Sequence, residues 1–348
     1  MVDNINSERK LATIRRIASL DPIANADKIM RATVDGWQVV TAKDNNFKVG
    51  DLVVYIEIDS WVPQVVAPFL SKEKEPREFN GVKGERLKTI RLRGCISQGL
   101  ILPLTVLGNG SNVREGDDVT AFLNIQKWEK PVPARLAGIA CGNFPSFIPK
   151  TDQERIQNMV CEFEKYQNEQ LTFEVTEKLE GSSMTVYHRN NNGEIETGVC
   201  SRNFNLKETD DNAFWKTARN YQLIEKLIAM GRSIALQGEL IGPGVQGNIY
   251  GLTELQFHIF DVFDIERATY LTADERAKIC QEMNIKHVPF LDRVDIKNFV
   301  DITAVLEYAE GKSKLANVER EGVVFKCIND PTIHFKAISN QYLMSEKD

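Results

Sequence analysis

The run Leu171-Thr-Phe-Glu-Val-Thr-Glu-Lys-Leu-Glu-Gly-Ser-Ser-Met-Thr-Val-Tyr-His188 governs the reading of the whole chain. Apolar and polar residues alternate from Leu171 to Glu177 and again from Met184 to His188, so two strands are predicted. Lys178 then stands at a strand end, where Gly181 suits a tight turn and the close approach of a ligand. A lysine followed by a carboxylate and a glycine can become a covalent carrier, because its neutral amine is a nucleophile. A surface lysine before a turn has the same local sequence, so the choice between the two rests on what lies downstream.

Downstream, in order, come Cys200-Ser-Arg202, Leu236-Gln-Gly-Glu-Leu240 and Phe257-His-Ile-Phe-Asp-Val262, then Glu321-Gly-Val-Val-Phe-Lys326 and His334-Phe-Lys-Ala-Ile-Ser339. Each lies at or beside a strand end in a pattern that predicts strands over 234–241, 255–262, 321–328 and 333–338. A single amphipathic helix is expected over 213–230, stopped by Gly231. A capping box, Thr272-Ala-Asp-Glu275, opens another helix running to about Met283. Strands and helices so mixed predict an α+β domain with largely antiparallel sheets. Collected in one place, these segments supply an amine, cations for phosphate, carboxylates able to organise a metal, and an aromatic face.

The first ~130 residues differ, being rich in strands and short in loops. Strands are predicted over 29–34, 37–42, 52–58, 87–92 and 99–102, with turns at Asp35-Gly36, Val49-Gly50-Asp51 and Gly94. Five or so short strands in this length suit a small Greek-key barrel of the OB type. Residues 83–93 carry five basic side chains against one acid. They are either a solvated edge strand that resists aggregation or a surface for polynucleotide phosphates. Four of the twelve prolines fall between 131 and 149 with Gly138 and Gly142, which marks a linker. The expected organisation is an OB-fold domain over 1–130, a linker over 131–150 and a catalytic domain over 151–348.

Composition narrows the function classes. A net charge of -6 argues against indiscriminate coating of nucleic acid, although local basic surfaces remain open. Six scattered cysteines and four dispersed histidines show neither zinc spacing nor disulfide density, so reduced intracellular thiols are expected. There is no apolar run of membrane-spanning length, and the polar start does not read as a signal peptide, so a soluble cytoplasmic protein is expected.

The ordered segments resemble motifs I, Ia, III, IIIa, IV and V of the covalent nucleotidyltransferases, which include polynucleotide ligases and mRNA capping enzymes. The likeness is nearest to ATP-dependent RNA ligases of the Deinococcus and Naegleria type, in which an OB domain precedes an adenylyltransferase domain. It extends to Ile90-Arg-Leu-Arg-Gly-Cys-Ile-Ser-Gln-Gly-Leu100, and to Phe144-Pro-Ser-Phe-Ile-Pro-Lys-Thr-Asp-Gln-Glu-Arg-Ile-Gln-Asn158. The resemblance implies an α+β nucleotidyltransferase, with ATP-grasp-like antiparallel sheets and helices, behind an all-β OB barrel. It also implies RNA ligation through lysyl-AMP, with RNA or a nicked RNA-containing duplex as partner, ATP as substrate, and magnesium or manganese as metal.

Residue roles follow from the same resemblance. Lys178 is the implied nucleophile. Glu180 is placed for ribose hydroxyls, or is an exposed turn acid. Glu239 and Glu321 are the implied metal carboxylates, either directly or through water. Arg202 binds substrate phosphate or ribose, or makes a surface ion pair. Phe260 stacks on adenine or sits in the core. Lys336 is implied at the α-phosphate. The pattern departs here from the usual Lys-x-Lys, so either His334 or Lys326 is left to take the first lysine's part. Arg86, Lys88, Arg91 and Arg93 are the implied nucleic-acid contacts. Twelve residues follow Lys336, which leaves no room for a C-terminal OB domain and weighs against a capping guanylyltransferase or a DNA ligase of standard layout. A GTP-using capping-type enzyme and a non-catalytic RNA-binding protein with a vestigial transferase domain are the alternatives.

Overall fold

The computed structural model of the protein describes residues 9–71, 74–108, 112–129 and 138–345. They divide into two compact units: residues up to 131 with 157–160, and 132–156 with 161 onward. Of the predicted linker, residues 131–137, including Pro131 and Pro133, lie outside the described residues. So does the polar start, residues 1–7. Among the described residues no helix is long and apolar enough to cross a membrane.

The first unit is all-β. Its strands are β1 (Ala12–Pro22), β2 (Ile29–Val34), β3 (Trp37–Ala42), β4 (Leu52–Ile56), β5 (Ser60–Pro63), β6 (Arg77–Phe79), β7 (Val82–Arg86), β8 (Ile90–Leu92), β9 (Cys95–Ser97), β10 (Leu100–Pro103) and β11 (Gln126–Lys127). A five-stranded sheet runs β10-β4-β1-β2-β3, a four-stranded sheet runs β11-β5-β7-β6, and β8 and β9 form a two-stranded sheet. Ile14, Val54, Ile56, Val62, Leu87 and Leu102 meet in the core between them. The turn before β4 is closed by Asp51, whose carboxylate accepts from Lys48 N at 2.8 Å. Asp117 repeats the device on Arg114 N at 2.7 Å.

Two strand expectations need correction. The longest strand of this unit, β1, was not predicted, because Arg15-Arg16 interrupts the alternation and the ladder to β2 shifts register between Ile17 and Ser19. The basic run is not one strand over 87–92. It belongs to β7 and β8, which lie in different sheets. Buried Leu87 turns inward between them, with its N–H donating to Ser60 O at 2.8 Å.

The second unit is α+β and largely antiparallel. β12 (Ala140–Asn143), β13 (Thr172–Lys178), β14 (Ser182–Asn191), β15 (Glu194–Cys200), β16 (Phe204–Leu206), β17 (Ile234–Ile241), β18 (Gln256–Asp264), β19 (Thr269–Tyr270), β20 (Lys286–His287), β21 (Phe290–Asp295), β22 (Gly322–Cys327) and β23 (His334–Ile338) make two sheets. The larger runs β12-β16-β15-β14-β17-β18-β19, with β20 parallel to β18. The smaller runs β21-β13-β22-β23. One face of the larger sheet is covered by helices: Met184, Leu236, Leu240, Phe257 and Ile259 pack there with Phe214, Leu223, Leu227 and Ile279. Each such burial stabilises by about 1.5–3 kcal/mol.

The helix expected over 213–230 is two helices, α1 (Ala213–Asn220) and α2 (Leu223–Met230). Gln222 between them is left-handed, at φ 53°. In an unbroken helix, Leu223 would sit about 140° around the axis from Ala218, five residues earlier. The break returns Leu223 and Leu227 to the same core as Phe214 and Ala218. The expected stop at Gly231 and the capping box at Thr272, opening α3 (Ala273–Glu282), are both present.

Candidate active site

β13 ends at Lys178, directly opposite Gly322 of β22. Antiparallel partners share a face, so three rows form: Lys178–Gly322–Ile338, Thr176–Val324–Lys336 and Glu174–Lys326–His334. Lys178, Lys336, Lys326 and His334 therefore all project from one face of the smaller sheet. On the larger sheet, Ser183 pairs with Glu239 and Glu239 with His258, which places Glu239 on the face away from the helices.

Lys178 Nζ lies 2.5 Å from Glu321 Oε1, and both side chains are partly open to solvent. Glu321 precedes β22 and is held by its own carbonyl, which accepts from Ser339 N at 2.9 Å. Burial, the largest influence, pushes the Glu239 carboxyl up to about 8. Lys178 and Arg202 pull it down, while Glu321 and Glu180 push it further up. Lys178, Arg202, Glu321 and Glu180 are therefore all near enough to act on the charge of Glu239. Arg202 also pairs with Asp152 at 2.7 Å, so it makes the surface ion pair as well as facing the cluster.

The turn after Lys178 differs from expectation. Gly181 is not left-handed. A Cβ there would meet Leu240 O at 2.4 Å and Glu239 Cγ at 2.9 Å. The glycine serves a close approach of β17 to the lysine's loop, rather than a tight turn. Tyr250, which sequence reasoning missed, accepts a hydrogen bond from Glu180 N at 2.8 Å through its buried hydroxyl. It comes from Gly242-Pro-Gly-Val-Gln-Gly-Asn-Ile-Tyr-Gly251, where Gly242, Gly244, Gln246, Asn248 and Gly251 all have positive φ. That density of turn residues was the available signal. Phe260 is half-buried and packs beside Leu179, Ile241, Tyr250 and Val288. This cluster forms an apolar wall next to the lysine.

Lys326 has another occupation. It is buried, with Nζ donating to Asp261 Oδ1 at 2.6 Å and to the Phe260 carbonyl at 2.5 Å. His334, its cross-strand partner, has a buried Nδ1 with no hydrogen-bond partner, and burial lowers its pKa, so the ring is neutral at pH 7. Of the two, His334 is the one with a free polar atom. Lys336 N donates to Glu154 O at 2.9 Å, and Thr151 and Ser183 hydroxyls lie 3.3 Å apart. Residues 149–155 thus run along the site, with Gln237 Nε2 also donating to Pro149 O.

The donors suit a hard divalent cation. Glu239 and Glu321 offer carboxylate oxygens, and burial, which raises the Glu239 carboxyl, makes its charged form costly unless a cation stands beside it. Among the described residues no three His, Cys, Asp or Glu side chains form a ready-made cage, so water or substrate oxygens would complete the coordination.

In the first unit, Arg86 is committed locally. It pairs with Asp59 at 2.6 Å and stacks 3.7 Å over Trp128. Arg91 and Arg93 are exposed on the β8–β9 hairpin, and Lys88 lies in the link before it. Arg93 and Gly94 form the two-residue turn, both with positive φ (49° and 82°), the geometry of a type I′ turn. Arg91 and Arg93 line an open groove of about 390 Å³ with Arg31, Gln38 and Cys95.

Comparison with known proteins gives two family matches: RNA ligase over residues 171–338, and an OB-fold domain over 11–104. Solved structures of Naegleria gruberi RNA ligase are similar to nearly the whole chain. The structure with PPi has a TM-score of 0.89 at 45% identity, covering 97% of this chain and 98% of that one. A glutamate-to-alanine variant with ATP and Mn has a TM-score of 0.90 at 44% identity, covering 98% and 100%. A lysine-to-methionine variant with AMP and Mn has 0.89 at 45%, covering 96% and 98%. No curated protein sequence matches.

Proposed function

The chain belongs to the RNA ligase family, and from that premise we propose that Lys178 is the nucleophile with which it activates ATP to join RNA ends. The observation that carries this reading is the 2.5 Å contact between Lys178 Nζ and Glu321, with Glu239, Arg202 and Glu180 around them. Complexes of the Naegleria ligase with ATP, AMP and Mn support ATP as the donor here and a divalent metal as its companion.

Lys178 must first lose a proton, since a lysine amine of pKa ~10.4 is charged at neutral pH. Glu321 Oε1 pairs with the amine in the structure, and the positive charge that a bound metal would supply beside it favours the neutral amine. The neutral Nζ then attacks the α-phosphorus. The bond to the β-phosphate oxygen breaks, pyrophosphate leaves, and AMP remains on Lys178 as a phosphoramidate. An oxygen of an RNA 5′-phosphate next attacks that phosphorus, breaking the P–N bond and returning the amine. A 3′-hydroxyl finally attacks the capped 5′-phosphate, and AMP leaves. Lys336 and His334 face the phosphate from the smaller sheet, with Lys336 as the cation for the developing oxyanion. Phe260 offers the base a flat apolar face. Glu239 and Glu321 hold the metal, which when bound supplies positive charge to the phosphates. The linker read over 131–150 is shorter at its far end, because residues 140–143 are β12 of the larger sheet and count with the adenylyltransferase domain.

A nicked duplex with RNA on the 3′-hydroxyl side is the proposed substrate, bound in part by the β8–β9 hairpin. Its exposed Arg91 and Arg93 suit phosphates, and a non-glycine residue at the left-handed Arg93 position costs about 1 kcal/mol. The test is incubation with α-labelled ATP and Mg or Mn, followed by denaturing electrophoresis. A covalent label lost in Lys178→Ala is expected. Persistence of the label in that variant, or labelling by GTP alone, refutes the proposal.

A further inference from the structure

In β18 one residue is surplus. Gln237 of β17 pairs with Asp261 and Gly238 with Ile259, so Phe260 is the extra residue of a β-bulge. A bulge leaves its extra residue outside the ladder and bends the strand. It also changes the alternation: His258 and Asp261 both pair with residues on the face bearing Glu239, with Phe260 adjoining Asp261. Ile259 and Val262 pack on the helix side, whereas Phe260 joins the cluster beside Leu179. Gly238 makes this possible, since a Cβ there would meet His258 O at 2.4 Å.

Lys326 reaches this bulge from the other sheet. Its ammonium holds the Phe260 carbonyl and the Asp261 carboxylate, and stands 5.7 Å from the Phe260 ring centroid. Behind it, Arg276 pairs with Glu174, donates to His287 Nε2 at 2.8 Å, and lies 4.0 Å from Asp261. Glu174 and Lys326 are cross-strand partners on β13 and β22. The strands carrying Lys178 and Lys336 are thus fastened to the strand presenting Phe260 directly by Lys326, with Arg276 bridging Glu174 and Asp261 behind it.

We propose that Lys326 is a positioning residue: it clamps the bulge and so sets the distance between the aromatic platform for the base and the lysine that attacks the α-phosphate. This rests on reading Phe260 as the base-stacking residue. Moving Lys326 away from the bulge would leave the Asp261 charge less compensated, so the contact favours this one arrangement. Lys326 therefore acts on nucleotide binding without itself touching the nucleotide.

The experiment compares the initial rate of Lys178 adenylylation against ATP concentration in Lys326→Met, Phe260→Ala and the double variant, with active sites titrated. Asp261 retains Arg276 as a cation in Lys326→Met, and Lys326→Gln restores a donor without the charge. Each single variant is expected to raise KM for ATP at least tenfold, with the rate at saturating ATP within threefold. The double variant should be no more than threefold worse than the worse single, and Lys326→Gln should recover part of the loss. Multiplying effects, or a normal KM in Lys326→Met beside a raised KM in Phe260→Ala, overturn the clamp and leave the stacking reading intact. A normal KM in Phe260→Ala removes the stacking reading, and the clamp with it. Should Lys326→Met fail to fold, Lys326→Gln decides alone: KM unchanged with fewer active sites means a structural role only.

Discussion

Adding one methyl group at Gly181 should disable adenylylation more than it disables folding. The Cβ of Gly181→Ala would lie 2.4 Å from Leu240 O, 2.7 Å from Ile241 Cγ2 and 2.9 Å from Glu239 Cγ. Ordinary carbon contacts are about 3.5 Å, and the first of these atoms is backbone in the middle of a sheet, so it cannot swing away. The loop bearing Lys178 and the strand bearing Glu239 must separate by about 1 Å. Overpacking of this size costs about 1–3 kcal/mol of stability, or roughly 2–4 °C in Tm per kcal/mol for a unit of this length. A displacement of about 1 Å at reacting groups costs on the order of 100-fold in rate, which corresponds to about 2.7 kcal/mol in the barrier. Single-turnover labelling of Lys178 with α-labelled ATP reads the rate, and thermal melting reads the stability. Gly247→Ala is the control, because its Cβ would meet only Ile249 Cγ2, at 3.7 Å. Wild-type labelling and an unchanged Tm in Gly181→Ala would refute the close-approach reasoning.

Two further outcomes are expected. Arg91→Ala and Arg93→Ala should weaken ligation of nicked RNA and flatten its salt dependence by about one unit of log–log slope per lost phosphate contact. Lysyl-AMP formation should persist, and equal loss of both steps would rule out a nucleic-acid role for the hairpin. Stability should fall on mild acidification. Burial lowers His258 and His287 from 6.5 to about 4, so the neutral rings favour the folded state. That contribution is complete above pH 6.5 and is lost as pH falls from 6.5 towards 4, at up to about 1.4 kcal/mol per pH unit per group. Denaturant midpoints at pH 7, 5.5 and 4.5 check it; a flat profile in wild type, or one unaltered in His258→Gln, would contradict it.

Much of this molecule was legible in its sequence because strand alternation and turn chemistry are local. The segments around Lys178, Glu239, Glu321 and Lys336 read as strands, and those strands are present. The failures have local causes too. Arg15-Arg16 hid β1, and nothing near Gln222 announced the left-handed residue that divides α1 from α2. Lys326 and His334 looked interchangeable as sequence. Their different surroundings, Asp261 for one and an unpartnered ring nitrogen for the other, come from β18 and from the geometry of the β22–β23 pair.

The sequence by itself determined which chemical groups are present, in what order, and on which strands, since period-two alternation and glycine punctuation are written residue by residue. Only the tertiary structure decided which of those groups meet. The 2.5 Å contact of Lys178 with Glu321 joins residues 143 positions apart, and the bulge at Phe260 exists only relative to β17. Register between distant strands is fixed by cross-strand packing and hydrogen bonding, to which no single stretch of chain holds the key.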